Sequence, residues 1–250
     1  MILHIPHSSR LIPEELRCQF ILSDEELDRE LTLLTDAYTD ELFQFSGAAR
    51  VVFAFSRLVV DVERFKSDYE EPMSTVEMGA VYSKTTSGAI LRNELSTYDK
   101  AALISSYYDS HHELLKKAVD RELQERGKSL IIDCHSFSSV PLPCDKDQSL
   151  PRPMVCIGTD DFHTPEPLIT RVVEMFSNLR YRIGLNKPFS GAIVPRSKYR
   201  KDKKVASIMI EIRRDLYMNE LTSAKSSAFI NTCYTVSNIL RELKLLEATL

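Results

Sequence analysis

Two histidines stand just past short apolar runs: His7 follows Ile2-Leu-His-Ile-Pro6, and His135 follows Leu130-Ile-Ile-Asp-Cys134. Each is followed by a serine. A strand end holds its side chains on a rigid element, which suits a histidine used as a metal ligand or a general base. A single histidine could equally serve a neighbouring backbone group, so it is the repetition that points to a site. A third run, Val205-Ala-Ser-Ile-Met-Ile-Glu-Ile212, carries a carboxylate, Glu211, among apolar neighbours. Burying an ionised carboxylate without a partner is costly. Glu211 must therefore be paired, protonated or placed at a site. Desolvation lifts a carboxyl pKa toward neutrality, as a general base requires. Zinc hydrolases use such a set: histidine and carboxylate ligands, a water, and a nearby carboxylate that accepts its proton.

Other candidates are less sharply defined. Asp36 either caps the segment that follows it or aims its carboxylate at the site, and capping is the commoner use of an aspartate there. Asp61, Glu63 and Arg64 place acid and base together at the end of an apolar run. They form either a substrate clamp, since arginine binds carboxylates bidentately, or a surface ion pair of little energetic weight. His111 and His112 are helix neighbours about 100° apart, so at most one faces the site. His4 lies inside its strand and reads as packed. Cys134 points to the face opposite His135 and reads as an inert buried thiol. The five cysteines are odd in number and lack CxxC spacing, which argues against a disulfide framework or a cysteine-only zinc site. No phosphate-binding loop or dinucleotide fingerprint occurs.

Several elements position these residues. Strands are expected over 1–5, 51–55, 58–62, 130–133, 154–158, 181–185 and 205–212. Helices are expected over 13–20, from 24 to 34 behind a Ser23/Glu26 capping box, and over 38–45 ended by Gly47. Further helices are expected over 97–126 ended by Gly127, over 164–179, and over 219–246. Residues 66–96, 140–153 and 186–204 read as loops. The last of these is dense in cations, which usually marks a solvated surface. With 250 residues, 43% hydrophobic and 27% charged, the chain can bury a core unaided. A net charge of -4 gives no support for nucleic-acid or anionic-membrane binding. No apolar run reaches membrane-spanning length, and the first residues lack signal-peptide character. The expectation is a cytoplasmic α/β protein folded as one domain over 1–250.

Seven short pieces, in order along the chain, resemble the N-formylglutamate amidohydrolase family. They are Ile5-Pro-His-Ser8, Thr35-Asp-Ala-Tyr-Thr-Asp-Glu-Leu42, Ser56-Arg-Leu-Val-Val-Asp-Val-Glu-Arg64, Tyr107-Tyr-Asp-Ser-His-His112, Asp133-Cys-His-Ser136, Gly191-Ala-Ile-Val-Pro-Arg196, and Ile210-Glu-Ile212 leading to Tyr217. The resemblance implies a zinc carboxypeptidase-like fold, shared with aspartoacylase, in which helices flank a central mixed sheet. It implies release of formate from N-formyl-L-glutamate in histidine breakdown. It implies zinc, or another divalent metal, on His7, His135 and Asp36, with Asp61 the runner-up to Asp36. It also implies Glu211 as general base, Arg64 and Arg196 on the substrate's carboxylates, and His112 polarising the carbonyl or lining the pocket. Two positions depart from the family pattern: Ser9 stands for a glycine, and Glu63 stands for an asparagine beside Arg64. A carboxylate at position 63 would repel an anionic substrate unless a cation offsets it. Two alternatives follow: an amidase or peptidase for a different N-acylamino acid, and a non-catalytic binding protein on the same fold.

Overall fold

The computed structural model describes residues 1–247. Six strands build one sheet: β1 (Ile2–Ile5), β2 (Ala49–Val52), β3 (Ser129–Phe137), β4 (Val155–Gly158), β5 (Ile183–Leu185) and β6 (Val205–Arg213). Their order is β2-β1-β3-β6-β4-β5. Neighbours run parallel except β4 and β6, so the sheet is mixed. The α-helices are α1 (Asp24–Leu34), α2 (Thr39–Leu42), α3 (Thr97–Leu103), α4 (Ser110–Arg126), α5 (Glu166–Asn178) and α6 (Phe229–Leu246). None is long and apolar enough to cross a membrane.

Strand alternation divides the sheet into two faces. Leu130, Ile132 and Cys134 of β3 join Leu3, Ile208 and Ile210 under α5 and α6, where Val172, Phe176, Val236 and Ile239 cover them. The Cys134 thiol accordingly packs in the core, where burial pushes its pKa up. On the other face Ile131, Ile2 and Val205 meet Leu115 and Val119 of α4. Farther along that face, toward the strand carboxyl ends, apolar side chains give way to polar ones. The parallel register sets His4 opposite Asp133 and His135 opposite Glu211. Parallel partners project to the same side, so backbone pairing alone brings these four polar side chains onto one face.

Several local expectations hold at the level of single bonds. Ser23 accepts from the Glu26 N–H while the Glu26 carboxylate accepts from the Ser23 N–H, closing the capping box of α1. Residues 97–126 are continuously helical, with a π-helical stretch, Ile104–Asp109, between α3 and α4. Gly127, at φ 74°, ends α4 in the left-handed conformation that glycine adopts without steric cost.

Other segments differ. The apolar run 58–62 is not a strand: it turns through Val59 N–H to Ser56 O and Arg64 N–H to Asp61 O. Its side chains are buried by the long connection after it. Leu58 packs with Tyr82 and Leu91, and Val60 and Val62 with Phe53 and Ala80. A short apolar run reports burial, not strand pairing. The run 51–55 pairs only to Val52, and the segment after Asp36 is the single turn α2, so Gly47 ends no helix. Residues 13–20 form a 3-10 helix, Glu14–Gln19. The last helix begins at Phe229, because the Asn219 side-chain Oδ1 accepts from the Leu221 and Thr222 N–H groups and holds a turn.

Candidate active site

Three segments converge at the carboxyl ends of β1 and β3. His7 follows Pro6 at the exit of β1. Asp36 follows Thr35, the C-cap of α1, and its N–H donates to His7 O at 3.0 Å. His135 lies within β3. All three side chains are buried. The Nδ1 atoms of His135 and His7 both face Asp36 Oδ2, at 3.0 and 3.6 Å. Each ring gives its other nitrogen to a buried carboxylate: His7 Nε2 to Asp61 Oδ1 at 2.8 Å, and His135 Nε2 to Asp133 Oδ1 at 3.1 Å.

This donor set suits a divalent cation. One ligand atom from each of His7, Asp36 and His135 lies within 4.8 Å of the others. His7 Nδ1 is buried and makes no hydrogen bond, a costly state that a cation would relieve. A ligating histidine characteristically donates its second N–H to a carboxylate, which fixes its tautomer. Asp36 does not cap α2, whose N-cap is Tyr38; its carboxylate is spent on the histidines and on Arg214. Asp61 stands behind His7, on its Nε2, and is held there by Arg57 and the Tyr82 hydroxyl.

Burial raises the cost of every charge in this cluster, and specific partners decide which charges persist. Burial pushes the Asp36 carboxyl up, but the hydrogen bond from His135 and the adjacent His7 ring outweigh it and hold the pKa well below the carboxylate range. Asp61 is likewise driven up by burial and then brought far down by Arg57, His7 and Arg64. Burial lowers His4, yet its bonds to Asp133 and Glu63 raise it to about 9. His4 is thus an imidazolium whose Nδ1 lies 2.9 Å from Asp133 and 3.0 Å from Glu63, while Nε2 faces His111 Nε2 at 2.8 Å. Burial pushes His111 down to about 2, so its neutral ring accepts that proton. Glu211 rises to about 8, chiefly by desolvation, with His135 acting against the rise.

These shifts give the metal-free protein a definite pH dependence. Between pH 4.5 and 8 the folded state holds a proton on Glu211 that the unfolded chain has lost, and His4 does the same from 6.5 to 9. These two groups lose stability as pH rises through those windows. His111 and His112, both lowered by burial, act the other way: folded, they lack a proton that the unfolded chain binds below 6.5, and so add stability as pH rises toward 6.5. The aspartates withdraw support below about pH 4. Melting of the chelated protein across pH 4–9 should show its highest Tm at about pH 6.5, where the gains from His111 and His112 end, and a decline from there toward pH 9. A Tm that rises between about pH 7 and 9 would contradict this assignment.

The three-residue cluster opens into a cleft of about 380 Å3, which Glu211, Glu63 and Arg64 also line. Arg64 makes no side-chain hydrogen bond among the described residues, its nearest acid being Asp61 at 3.6 Å. The other arginines of the cleft are committed: Arg57 to Asp61, Arg152 to Asp145 and Arg214 to Asp36. Lys146, on the rim, has no acidic partner among the described residues. Two expected participants lie elsewhere. Arg196 is exposed, pairs with Glu70 at 3.1 Å and does not line the cleft, because the loop that carries it runs over the surface. His112 also lies outside the lining: its Nε2 bonds Val62 O at 2.8 Å and its ring stacks on Tyr108. Neither histidine of the pair reaches the cleft, since His111 turns to His4.

Sequence reasoning missed Asp133, Arg57 and Arg214, and took His4 as merely packed. Asp133 was within reach, because it stands two residues before His135 and shares its face. Arg214 had a weaker signal, three residues beyond Glu211 at the same end of the sheet. Nothing local distinguishes Arg57.

The fold and the site define an α/β protein with a buried histidine–aspartate–histidine cluster and a strand glutamate at the open end of a mixed sheet. The family described as N-formylglutamate amidohydrolase matches residues 1–218. The chain belongs to that family of amidohydrolases. It is 23% identical over 229 residues to an N-formylglutamate deformylase of Pseudomonas putida, covering 88% of this chain and 82% of the relative. The crystal structure of an N-formylglutamate amidohydrolase from Ralstonia eutropha JMP134 superposes with a TM-score of 0.85 at 20% identity, over 98% of this chain and 92% of that one. A gene product of Agrobacterium tumefaciens matches with a TM-score of 0.64 at 19% identity, over 98% and 91% of the two chains. These two likenesses establish the fold, and with it the α/β architecture of a mixed sheet between helices.

Proposed function

We propose that this protein is a metal-dependent amidohydrolase that cleaves N-formyl-L-glutamate to formate and L-glutamate, a reaction of histidine breakdown. The observation that carries this reading is the bare His7 Nδ1, buried beside Asp36 Oδ2 and His135 Nδ1, in one cleft with Glu211. His7, Asp36 and His135 would hold the ion, and two imidazoles with one carboxylate favour zinc, although other divalent metals accept similar ligands. Bound there, the ion would polarise the formyl carbonyl and bring the pKa of a water near neutrality. Glu211, beside His135 on the neighbouring strand, takes the proton of the attacking water and passes it to the departing amine. Its desolvated carboxyl is suited to both tasks, since it binds a proton near neutral pH. Arg64, which makes no side-chain hydrogen bond among the described residues and meets Asp61 only at 3.6 Å, is placed for one substrate carboxylate, and Lys146 at the rim for the other.

Release of glutamate from N-formyl-L-glutamate, with and without a chelator, tests the proposal. Chelator-sensitive release supports it; no release from metal-loaded, folded protein refutes the substrate. Arg64→Met should raise KM roughly tenfold to a hundredfold, the range of a charge-assisted hydrogen bond, with kcat changed far less. An unchanged KM would remove Arg64 from recognition.

One observation favours a second reading, a different N-acylamino acid. Glu63 lines the cleft next to Arg64 and is only part-neutralised by His4. A substrate with a neutral or donor side chain would avoid its charge. Comparing kcat/KM for N-formylglutamate and N-formylglutamine separates the two readings.

A further inference from the structure

Arg214 heads the short 3-10 turn Arg214–Leu216 that follows β6, and its side chain is buried. Its guanidinium reaches three segments at once. Nη1 donates to Leu33 O at 2.6 Å, one of the last carbonyls of α1. Nε and Nη2 reach Ser136 Oγ and Ser136 O at 3.4 and 3.5 Å, at the end of β3. Nη2 also donates to Asp36 Oδ1 at 3.0 Å. The two oxygens of Asp36 are therefore divided: Oδ1 belongs to Arg214, and Oδ2 faces His135 and His7.

We infer that Arg214 is a positioning residue for the metal site. It reserves one oxygen of Asp36 and so leaves the other, alone and fixed in direction, for the cation. Without it the carboxylate could turn about its terminal bond and present either oxygen or both. The anchor also ties the segment that carries Asp36 to the strand that carries His135, and both to the strand that carries Glu211. A planar fork with several donors can span these groups together; a lysine ammonium is a single point and cannot. This inference rests on the reading of His7, Asp36 and His135 as metal ligands.

The test is the affinity of the full chain for Zn2+ and Co2+, measured by competition with a chromophoric chelator, for the parent, Arg214→Met and Arg214→Lys. Supporting contacts to a metal ligand are worth about 10–100-fold in affinity. Both substitutions should weaken binding within that range and alter the Co2+ absorption spectrum. A general loss of rigidity is controlled by Arg92→Lys. Arg92 is another buried arginine, bonded to Leu58 O and outside the cleft lining. It should lower Tm while leaving metal affinity and spectrum unchanged. Should Arg214→Met not fold, Arg214→Lys, which keeps the charge, carries the test. Tight binding by the parent with equal affinity and spectrum in the variants overturns the role of Arg214 and leaves the metal site standing. No binding by the parent overturns the metal site, and this inference with it.

Discussion

Glu211→Gln should retain the metal and the fold but lower kcat on N-formyl-L-glutamate by about 10^3, within the range typical of a general acid–base group. The amide keeps the size and hydrogen-bonding shape of the carboxyl but cannot accept the water's proton. KM should change little, because in the proposed mechanism Glu211 handles a proton and does not bind a substrate carboxylate. The stability of the same variant makes a second, independent check. In the folded metal-free protein Glu211 titrates at about 8, raised first by desolvation. Above pH 4.5 the unfolded chain carries that carboxylate ionised, so folding must keep a proton on it or bury its charge. The cost grows with pH until about 8. Glutamine never ionises, so the chelated variant should match or exceed the parent's Tm at pH 8, with the gap closing toward pH 5. Near-normal kcat would remove Glu211 from the mechanism. A lower Tm at pH 8 would mean that the carboxylate has a structural partner the cleft does not show.

The largest combined effect is expected at Asp36. Replacement by alanine removes the carboxylate that bonds His135 and faces His7, and leaves the Arg214 guanidinium buried without its acid. Breaking a buried pair from one side costs about 3–5 kcal/mol, so denaturant unfolding of the chelated variant should show a loss of that order. Asp36→Asn keeps the volume and one acceptor, and should be less destabilising. Metal affinity should still fall by about 100-fold or more, beyond the usual cost of losing a supporting contact. Asp61→Asn provides the comparison. Asp61 touches His7 only through Nε2, so its loss should cost metal affinity about 10–100-fold, less than the loss of Asp36. The opposite ranking would make Asp61 the ligand and Asp36 its support.

The amino-acid sequence by itself determined the elements that hold the site. The apolar runs ending near His7 and His135, the buried run around Glu211, the Ser23/Glu26 box and the helix ended by Gly127 all depend on interactions within a few residues. Period, capping and turn chemistry are local and therefore legible. So was the oddity of Glu211, because a charge inside a strand of apolar residues needs an explanation wherever that strand packs. Asp36 shows where local reasoning ends. Its sequence surroundings favour a helix cap, and only the approach of β3 and Arg214 turns its carboxylate to the histidines. The run around Asp61 reads as a strand, yet it is buried turn, because the connection after it supplies the cover that a sheet partner would have given. His4 reads as packed, and becomes an imidazolium only because Asp133 and Glu63 arrive from segments far along the chain. Arg196 has the right type for a substrate clamp, but the surface course of its loop gives it to Glu70. Residue type and spacing name the groups capable of chemistry. Which carboxylate faces a histidine, and which arginine is left without a hydrogen bond, depends on contacts between residues tens to hundreds of positions apart, and those exist only once the sheet has closed.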